Sequence, residues 1–176
     1  MIYLGIGSNL PSSFGNKFDN INLSISLLKK NNIEILKKSS FYESLAFPNK
    51  NDPKFINIVV QVKTLLDPKD LMITLFKIEE ILERKRLKKN EPRTCDIDII
   101  DYKRKIVNLE FNNQLLQIPH SSMTQRNFVL FPLKEVCPNW SHPLSNISID
   151  SLITNLKNKN NDITKLSQSD INNHVE

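Results

Sequence analysis

"FINIVVQVKT", residues 55–64, reads as the clearest strand in the chain and sets the frame for the rest. Ile56, Ile58, Val60 and Val62 alternate onto one face, with Phe55, Asn57, Val59 and Gln61 on the other. Upstream lies a polar, proline-punctuated loop, "FPNKNDPK" (47–54), and before it the β-leaning "IEILKKSSFYES" (33–44), entered by a turn at Asn31-Asn32. Phe18, Ile21, Ile25 and Leu28 recur at helical spacing and run into Lys29 and Lys30, as a helix C-terminus favours. The apolar Ile2–Ile6 closes on "GSN" and predicts a first strand entering a loop.

Downstream, Asp67 and Pro68 form a helix start, and Leu71, Leu75, Ile78 and Leu82 give that helix one apolar stripe. "TCDIDII" (94–100) reads as a fourth strand, and "DYKRKIV" (101–107) as its continuation into a hairpin. The order β-α-β-β-α-β predicts an α+β fold: a ferredoxin-like βαββαβ sandwich with an antiparallel sheet and two helices on one face. "IPHSSMTQRNFVLFPLKEV" (118–136) adds a C-terminal loop and a helix broken by Pro132. The last twenty residues, rich in Asn, Lys, Asp and Ser, predict loose order, so the expected division is one domain over 1–156 and a polar tail over 157–176.

At 176 residues the chain suffices for one domain with its own core, and 39% hydrophobic and 24% charged residues are those of an ordinary globular protein. The net charge of +5 suits an anionic ligand or nucleic acid without choosing between them. Cys95 and Cys137 lack metal-type spacing; a disulfide stays open, though a reducing cytosol is the expectation. No basic segment precedes an apolar run, and no stretch reaches membrane-spanning length, so a cytoplasmic protein with no membrane partner is expected.

The fourth strand carries the chemistry. Cys95, Ile97 and Ile99 share one face and Asp96 and Asp98 the other, with same-face neighbours roughly 6.5–7 Å apart. Two carboxylates so placed suit a pair of divalent cations about 3.5–4 Å apart. The same pattern also fits solvent-facing or lysine-paired aspartates, and D-x-D alone leaves both readings open. Arg84, Arg86 and Arg93 flank the pair, and guanidinium groups beside an acidic metal site point to a polyanion held by both. Lys85, Lys88 and Lys89 fit a solvated basic helix end.

"GIGSNL" (5–10) fails G-x-G-x-x-G at its last position and no P-loop exists, so no glycine cradle for a phosphate is present. His120 reads as structural or solvent-facing rather than catalytic; Phe55 and Asn57 read as a docking face for something planar or as a surface under a helix.

Taken together, "GSNL" (7–10), "FYES" (41–44), "FINIVVQV" (55–62), "IEEILERKR" (78–86), "PRTCDIDII" (92–100) and "IPHSSMTQRNFVLFPLKEV" (118–136) resemble, in order, the motifs of the 6-hydroxymethyl-7,8-dihydropterin pyrophosphokinase family. The resemblance covers about residues 1–143 and implies the same ferredoxin-like sandwich. It implies transfer of pyrophosphate from MgATP to the hydroxymethyl group of the pterin, with release of AMP, in folate biosynthesis. By that resemblance Asp96 and Asp98 hold two Mg²⁺, and Arg84 and Arg93 act with them in catalysis by closing over the phosphates. Glu79, Arg86, Ile99, His120 and Arg126 fall at further ATP-binding positions. Phe55 and Phe128 match two aromatics that sandwich the pterin, Asn57 an amide that reads its edge, and Ser44, Leu45 and Phe47 positions beside it.

Some residues depart from the family pattern: Asn90-Glu91 stand where many members carry a tryptophan and glycine, Leu45 replaces a usual proline, and Phe76 a frequent glutamine. The implied partners are small molecules on a monomer, with no nucleic acid. The competing readings are a metal-dependent nucleotidyltransferase, which would release pyrophosphate, and a ferredoxin-like RNA-binding module, which would need aromatics on two central strands.

Overall fold

A computed structural model of the chain describes residues 1–46, 49–85, 91–111, 114–156 and 162–173. The molecule is α+β, built on one antiparallel sheet. Its central strand β1 (Ile2–Ser8) is flanked by β4 (Phe55–Lys63) and β5 (Asp96–Tyr102). Beyond β4, the same sheet carries β2 (Glu34–Lys38) and β3 (Tyr42–Ser44), and β3 in turn pairs with β8 (Ile163–Lys165). A separate two-stranded sheet joins β6 (Val107–Phe111) to β7 (Gln114–Ile118).

Helix α1 (Lys17–Lys30) begins at Asn16, whose side chain accepts from Phe18 N and Asp19 N while Asp19 Oδ2 accepts from Asn16 N, a reciprocal cap. Helix α2 (Pro68–Ile81) starts as expected: Asp67 Oδ1 accepts from Asp70 N at 2.9 Å, with Pro68 at the first helical position. Both helices cover the face carrying Ile56, Ile58, Val60, Val62, Ile97 and Ile99, and their stripes complete one core. The opposite face, with Tyr3, Val59 and Ile100, is covered by α3 (Asn127–Val136) and α4 (Ile149–Thr154) around Leu130, Leu133 and Trp140. The sheet is therefore the middle of three layers.

Four local expectations are corrected. The stretch from Ile33 is two strands rather than one, because Ser39 Oγ takes the hydrogen bond of Val59 N (3.0 Å) and interrupts the ladder. The strand after β5 pairs with β7 instead of folding back on β5, past a turn with positive φ at Lys103 and Arg104. Pro132 does not break its helix: α3 runs through it, with Val129, Leu130, Pro132, Leu133 and Val136 all buried. Their burial, about 1.5–3 kcal/mol per large apolar side chain, offsets a proline cost of about 3 kcal/mol. Finally, residues 163–166 are not loose: β8 is paired, and Leu166 joins the core beneath α1 and α2. Helix α5 (Gln168–Asn173) follows.

Cys95 and Cys137 are both free thiols. Among the described residues no helix is long and apolar enough to cross a membrane.

Glu135 of α3 fastens one layer to the next. Its Oε1 accepts from Ser40 N (3.1 Å) and Ser40 Oγ (2.8 Å), its Oε2 accepts from the Tyr42 hydroxyl (2.8 Å), and Lys165 lies 3.3 Å away. Burial would push its carboxyl up, but the Tyr42 and Ser40 donors outweigh burial and hold it below its ordinary value. A carboxylate so lowered stabilises the fold above its ordinary range and loses that contribution as pH falls through the lowered value. Glu135→Ala is expected to cost about 2 kcal/mol in urea unfolding at pH 7. The deficit against the wild-type chain should shrink as the pH is taken below the carboxylate range.

Candidate active site

The register of the sheet brings the candidate residues into one trough. Gly7 of β1 lies opposite Asn57 on one side and Asp96 on the other, and Gly5 opposite Val59 and Asp98. Directly opposed residues point to the same face, so Asp96 and Asn57 flank Gly7 two strands, or roughly 10 Å, apart. A methyl group on Gly7 would sit 3.1 Å from Asn57 Oδ1 and 3.5 Å from the Phe55 ring. The glycine keeps the floor low between the amide and the carboxylate.

Asp96 is held on both oxygens. Arg84 Nη1 lies 2.7 Å from Oδ1 and Arg93 Nε 2.8 Å from Oδ2. Arg84 also pairs with the buried Glu79 of α2, whose Oε1 accepts the backbone N–H of Ile97 at 2.7 Å. Glu79 thus joins the end of α2, the start of β5 and an arginine. Arg93 is fixed through its main chain: Asn9 Oδ1 accepts Arg93 N at 2.7 Å, and Arg93 O accepts Asn9 N and Leu10 N at 3.0 and 3.1 Å. The amide nitrogen of Asn9 donates to Pro53 O at 2.9 Å, so this buried side chain clasps the loops before α1, before β4 and before β5.

Asp98 is more open. Arg126 Nη1 is 3.7 Å and His120 Nε2 4.0 Å from its Oδ2, and its side chain is 40% exposed against 21% for Asp96. His120 Nε2 is 3.4 Å from Arg126 Nη1, while its Nδ1 accepts from Ser122 N. The two carboxyls are displaced from their ordinary values in opposite directions. Burial would raise that of Asp96, but Arg84 and Arg93 together hold it below its ordinary value. Burial and then the charge of Asp96 push Asp98 up, against the pull of His120, Arg126 and Arg84. One carboxylate is saturated by cations and the other is under pressure to find one.

The arginines tie this pair to the aromatics. The Arg93 guanidinium lies over the Phe55 ring at 5.2 Å and that of Arg126 over Phe128 at 5.7 Å. Two chains result, Phe55–Arg93–Asp96 and Phe128–Arg126–Asp98. On β3, Ser44 Oγ accepts the amide of the neighbouring Asn57 at 2.9 Å, and Leu45 N donates to Asp162 O at 3.3 Å. Along the other flank of β5 a cleft runs between Phe76 of α2, Ile99 and Leu115, ending at Glu79, Arg84 and His120.

Of the predicted site residues, Glu79, Arg84, Arg93, Asp96, Asp98, Ile99, His120 and Arg126 line this trough and cleft, and Ser44, Phe55, Asn57 and Phe128 adjoin it. Arg86, Phe47 and the departure at Asn90 lie outside the described residues. Asn9 belongs to this framework although the sequence marks it only as a polar residue directly after an apolar strand; in the structure it is buried with both amide atoms engaged. Asp101, the third carboxylate of β5, belongs elsewhere: it accepts from Trp140 Nε1 (2.9 Å) and Arg104 N (2.8 Å). Among the described residues no three His, Cys, Asp or Glu side chains cluster as a complete metal cage.

Residues 3–138 match the family described as 7,8-dihydro-6-hydroxymethylpterin-pyrophosphokinase (HPPK). The 2-amino-4-hydroxy-6-hydroxymethyldihydropteridine pyrophosphokinase of Aquifex aeolicus is 37% identical over 143 residues, which are 81% of this chain and 84% of that protein. The folic acid synthesis protein fol1 of Pneumocystis carinii is 38% identical over 150 residues, 85% of this chain. This chain spans only 19% of that longer protein's length, and 23% of the Dictyostelium discoideum counterpart's. The fold is shared with the wild-type HPPK-DHPS structure of Plasmodium falciparum, at a TM-score of 0.69 and 17% identity over 86% of this chain and 42% of that one.

Because Glu79 is buried and serves both Ile97 N–H and Arg84, truncating it leaves an unpaired donor and a cation with one partner fewer. Glu79→Ala is expected to cost about 3 kcal/mol in denaturant unfolding. A loss under 1 kcal/mol would show that water replaces the carboxylate.

Proposed function

The chain belongs to the 7,8-dihydro-6-hydroxymethylpterin-pyrophosphokinase family, and on that premise we propose that it transfers the β,γ-pyrophosphoryl group of MgATP to 6-hydroxymethyl-7,8-dihydropterin, releasing AMP, in folate biosynthesis. The observation that carries the proposal is the pair of Phe–Arg–Asp chains meeting in one glycine-floored trough. A flat ring beside Phe55, Asn57 and Phe128 and a triphosphate beside Arg84, Arg93 and Arg126 would meet at the two aspartates. In this reading the sheet is ferredoxin-like, its second strand divided into β2 and β3. Residues 1–156 carry the candidate site residues of a single catalytic domain, to whose sheet β8 adds an edge strand, and the partners are small molecules acting on one chain.

Asp96 and Asp98 are the proposed holders of two Mg²⁺. Hard carboxylate oxygens and the electrostatic pressure on Asp98 fit such cations, and two side chains leave coordination positions for phosphate oxygens and water. When bound, the cations would neutralise phosphate charge and favour ionisation of the attacking hydroxyl. Arg84 and Arg93 reach the charge of Asp96 now and would share it with the triphosphate, holding the β-phosphorus in line with the pterin hydroxymethyl oxygen. That oxygen forms the new bond to the β-phosphorus as the bond from the β-phosphorus to the bridging α,β-oxygen breaks, so AMP carries the leaving electrons. Glu79 supports Arg84 from behind, and His120 and Arg126 flank the open side of Asp98. The carbonyl oxygen of Asn57, with its amide nitrogen committed to Ser44, is available to read a donor on the pterin edge.

Incubation with MgATP, with and without the pterin, tests the reaction. Pterin-dependent AMP is expected, and Asp98→Ala should lower turnover at least about a thousandfold while unfolding at the temperature of the wild-type chain. Release of pyrophosphate instead would favour nucleotidyl transfer. Gly7→Ala introduces a methyl group 3.1 Å from Asn57 Oδ1. It is expected to raise KM for the pterin about tenfold and leave KM for ATP nearly unchanged, as steady-state kinetics would show.

A further inference from the structure

Residues 162–166 lie far from the reacting groups in sequence and outside every motif that marks the site. We propose that this segment is a positioning brace for the pterin half of the site, a reading that rests on the proposed pyrophosphokinase activity. Strand β3 is three residues long and reaches the sheet on one side only through β4. On its other edge Leu166 N donates to Phe41 O at 2.9 Å and Leu45 N to Asp162 O at 3.3 Å. Hydrogen-bonded pairs alternate along an antiparallel ladder, so Glu43 and Thr164, which lie opposite each other between these two, form the third such pair. Phe41, Glu43 and Leu45 thus spend their backbone groups on 162–166, leaving Tyr42 and Ser44 to bond β4. Without the brace, the outer edge of β3 would be open.

The segment's other contacts share this bias. Asp162 pairs with Lys50 at 3.2 Å, in the loop leading to Phe55 and Asn57. Lys165 lies 3.3 Å from Glu135 on α3, the helix whose first turn holds Phe128. Leu166 anchors the end of the segment in the core. The segment thus touches β3, which bears Ser44, α3, which bears Phe128, and the loop that leads into β4. Among the described residues, no hydrogen bond or ion pair joins 162–166 to Arg84, Arg93, Asp96, Asp98, His120 or Arg126. The consequence runs through Ser44: its hydroxyl holds the amide nitrogen of Asn57 at 2.9 Å and so sets which way the Asn57 oxygen faces. A shifted β3 frees that amide to rotate, and the phosphate side keeps its geometry.

The test uses the full chain with Thr164→Pro, which removes the N–H facing Glu43, and Asp162→Ala, which releases Lys50. Dissociation constants are measured for 6-hydroxymethyl-7,8-dihydropterin and, separately, for a non-hydrolysable MgATP analogue, with amide exchange at Glu43 and Leu45 as the check on pairing. Thr164→Pro is expected to speed exchange at both amides and weaken pterin binding about tenfold, with analogue binding within twofold. Asp162→Ala should weaken pterin binding about two- to threefold. Should Thr164→Pro not fold, Asp162→Ala decides. The brace is overturned by wild-type pterin affinity after pairing is lost, by equal weakening for both ligands, or by an Asp162→Ala chain that binds the pterin as the wild type does. A wild-type chain that binds both ligands yet makes no AMP overturns the transfer reaction instead, and the binding constants still judge the brace.

Discussion

Asp96 is an ionised carboxylate inside a sheet, and the cost of desolvating it, several kcal/mol, must be met by groups brought from elsewhere in the chain. Arg84 arrives from the end of α2 and Arg93 from the loop before β5, one on each oxygen. Each arginine in turn requires a holder. Glu79 fixes the first through a side chain that also takes the N–H of Ile97, and Asn9 fixes the second through the Arg93 main chain. Removing Glu79 would leave Arg84 with one carboxylate fewer, and removing Asn9 would release the Arg93 main chain. The course of α2, the entry to β5 and the loop after β1 all follow from satisfying this one group.

Asp98, two residues on, has been left with distant partners and a raised affinity for a proton. The contrast gives the two carboxylates different work: one organises the arginines, and the other offers a charge that, among the described residues, only Arg126 and His120 face, at 3.7 and 4.0 Å. A strand can manage this because its alternation puts both on one face while Ile97 and Ile99 seal the other against α2. Gly7 completes the arrangement by leaving room over β1, where a side chain would press on Asn57 and Phe55, while Gly5 makes way for the side chain of Ile100.

Much of this could be read from residues alone. The alternation of Phe55–Lys63 survives into the structure because both of its faces are committed, to helices on one side and to the trough on the other. The caps at Asp67 and the facing of Asp96 and Asp98 are local and were legible for that reason. What could not be read depends on distant partners. Nothing near Asn9 announces Pro53 and Arg93, and nothing in "ITK" (163–165) announces β3, since a three-residue polar strand carries no periodicity. Pro132 reads as a breaker on local grounds, and only the apolar packing around α3 overrules it. The stacking of Arg93 on Phe55 and Arg126 on Phe128 likewise exists only once the sheet has brought β4, β5 and α3 together.

The central claim is that Asp96 and Asp98 form a divalent-cation site completed by the nucleotide. Electron paramagnetic resonance of Mn²⁺ titrated into the chain, with and without a non-hydrolysable ATP analogue, tests it most directly. Mn²⁺ alone is expected to bind weakly, since Arg84 and Arg93 already occupy Asp96, and two ions per chain are expected once the analogue is present. Two ions held tightly without nucleotide, or none gained with it, would contradict the account.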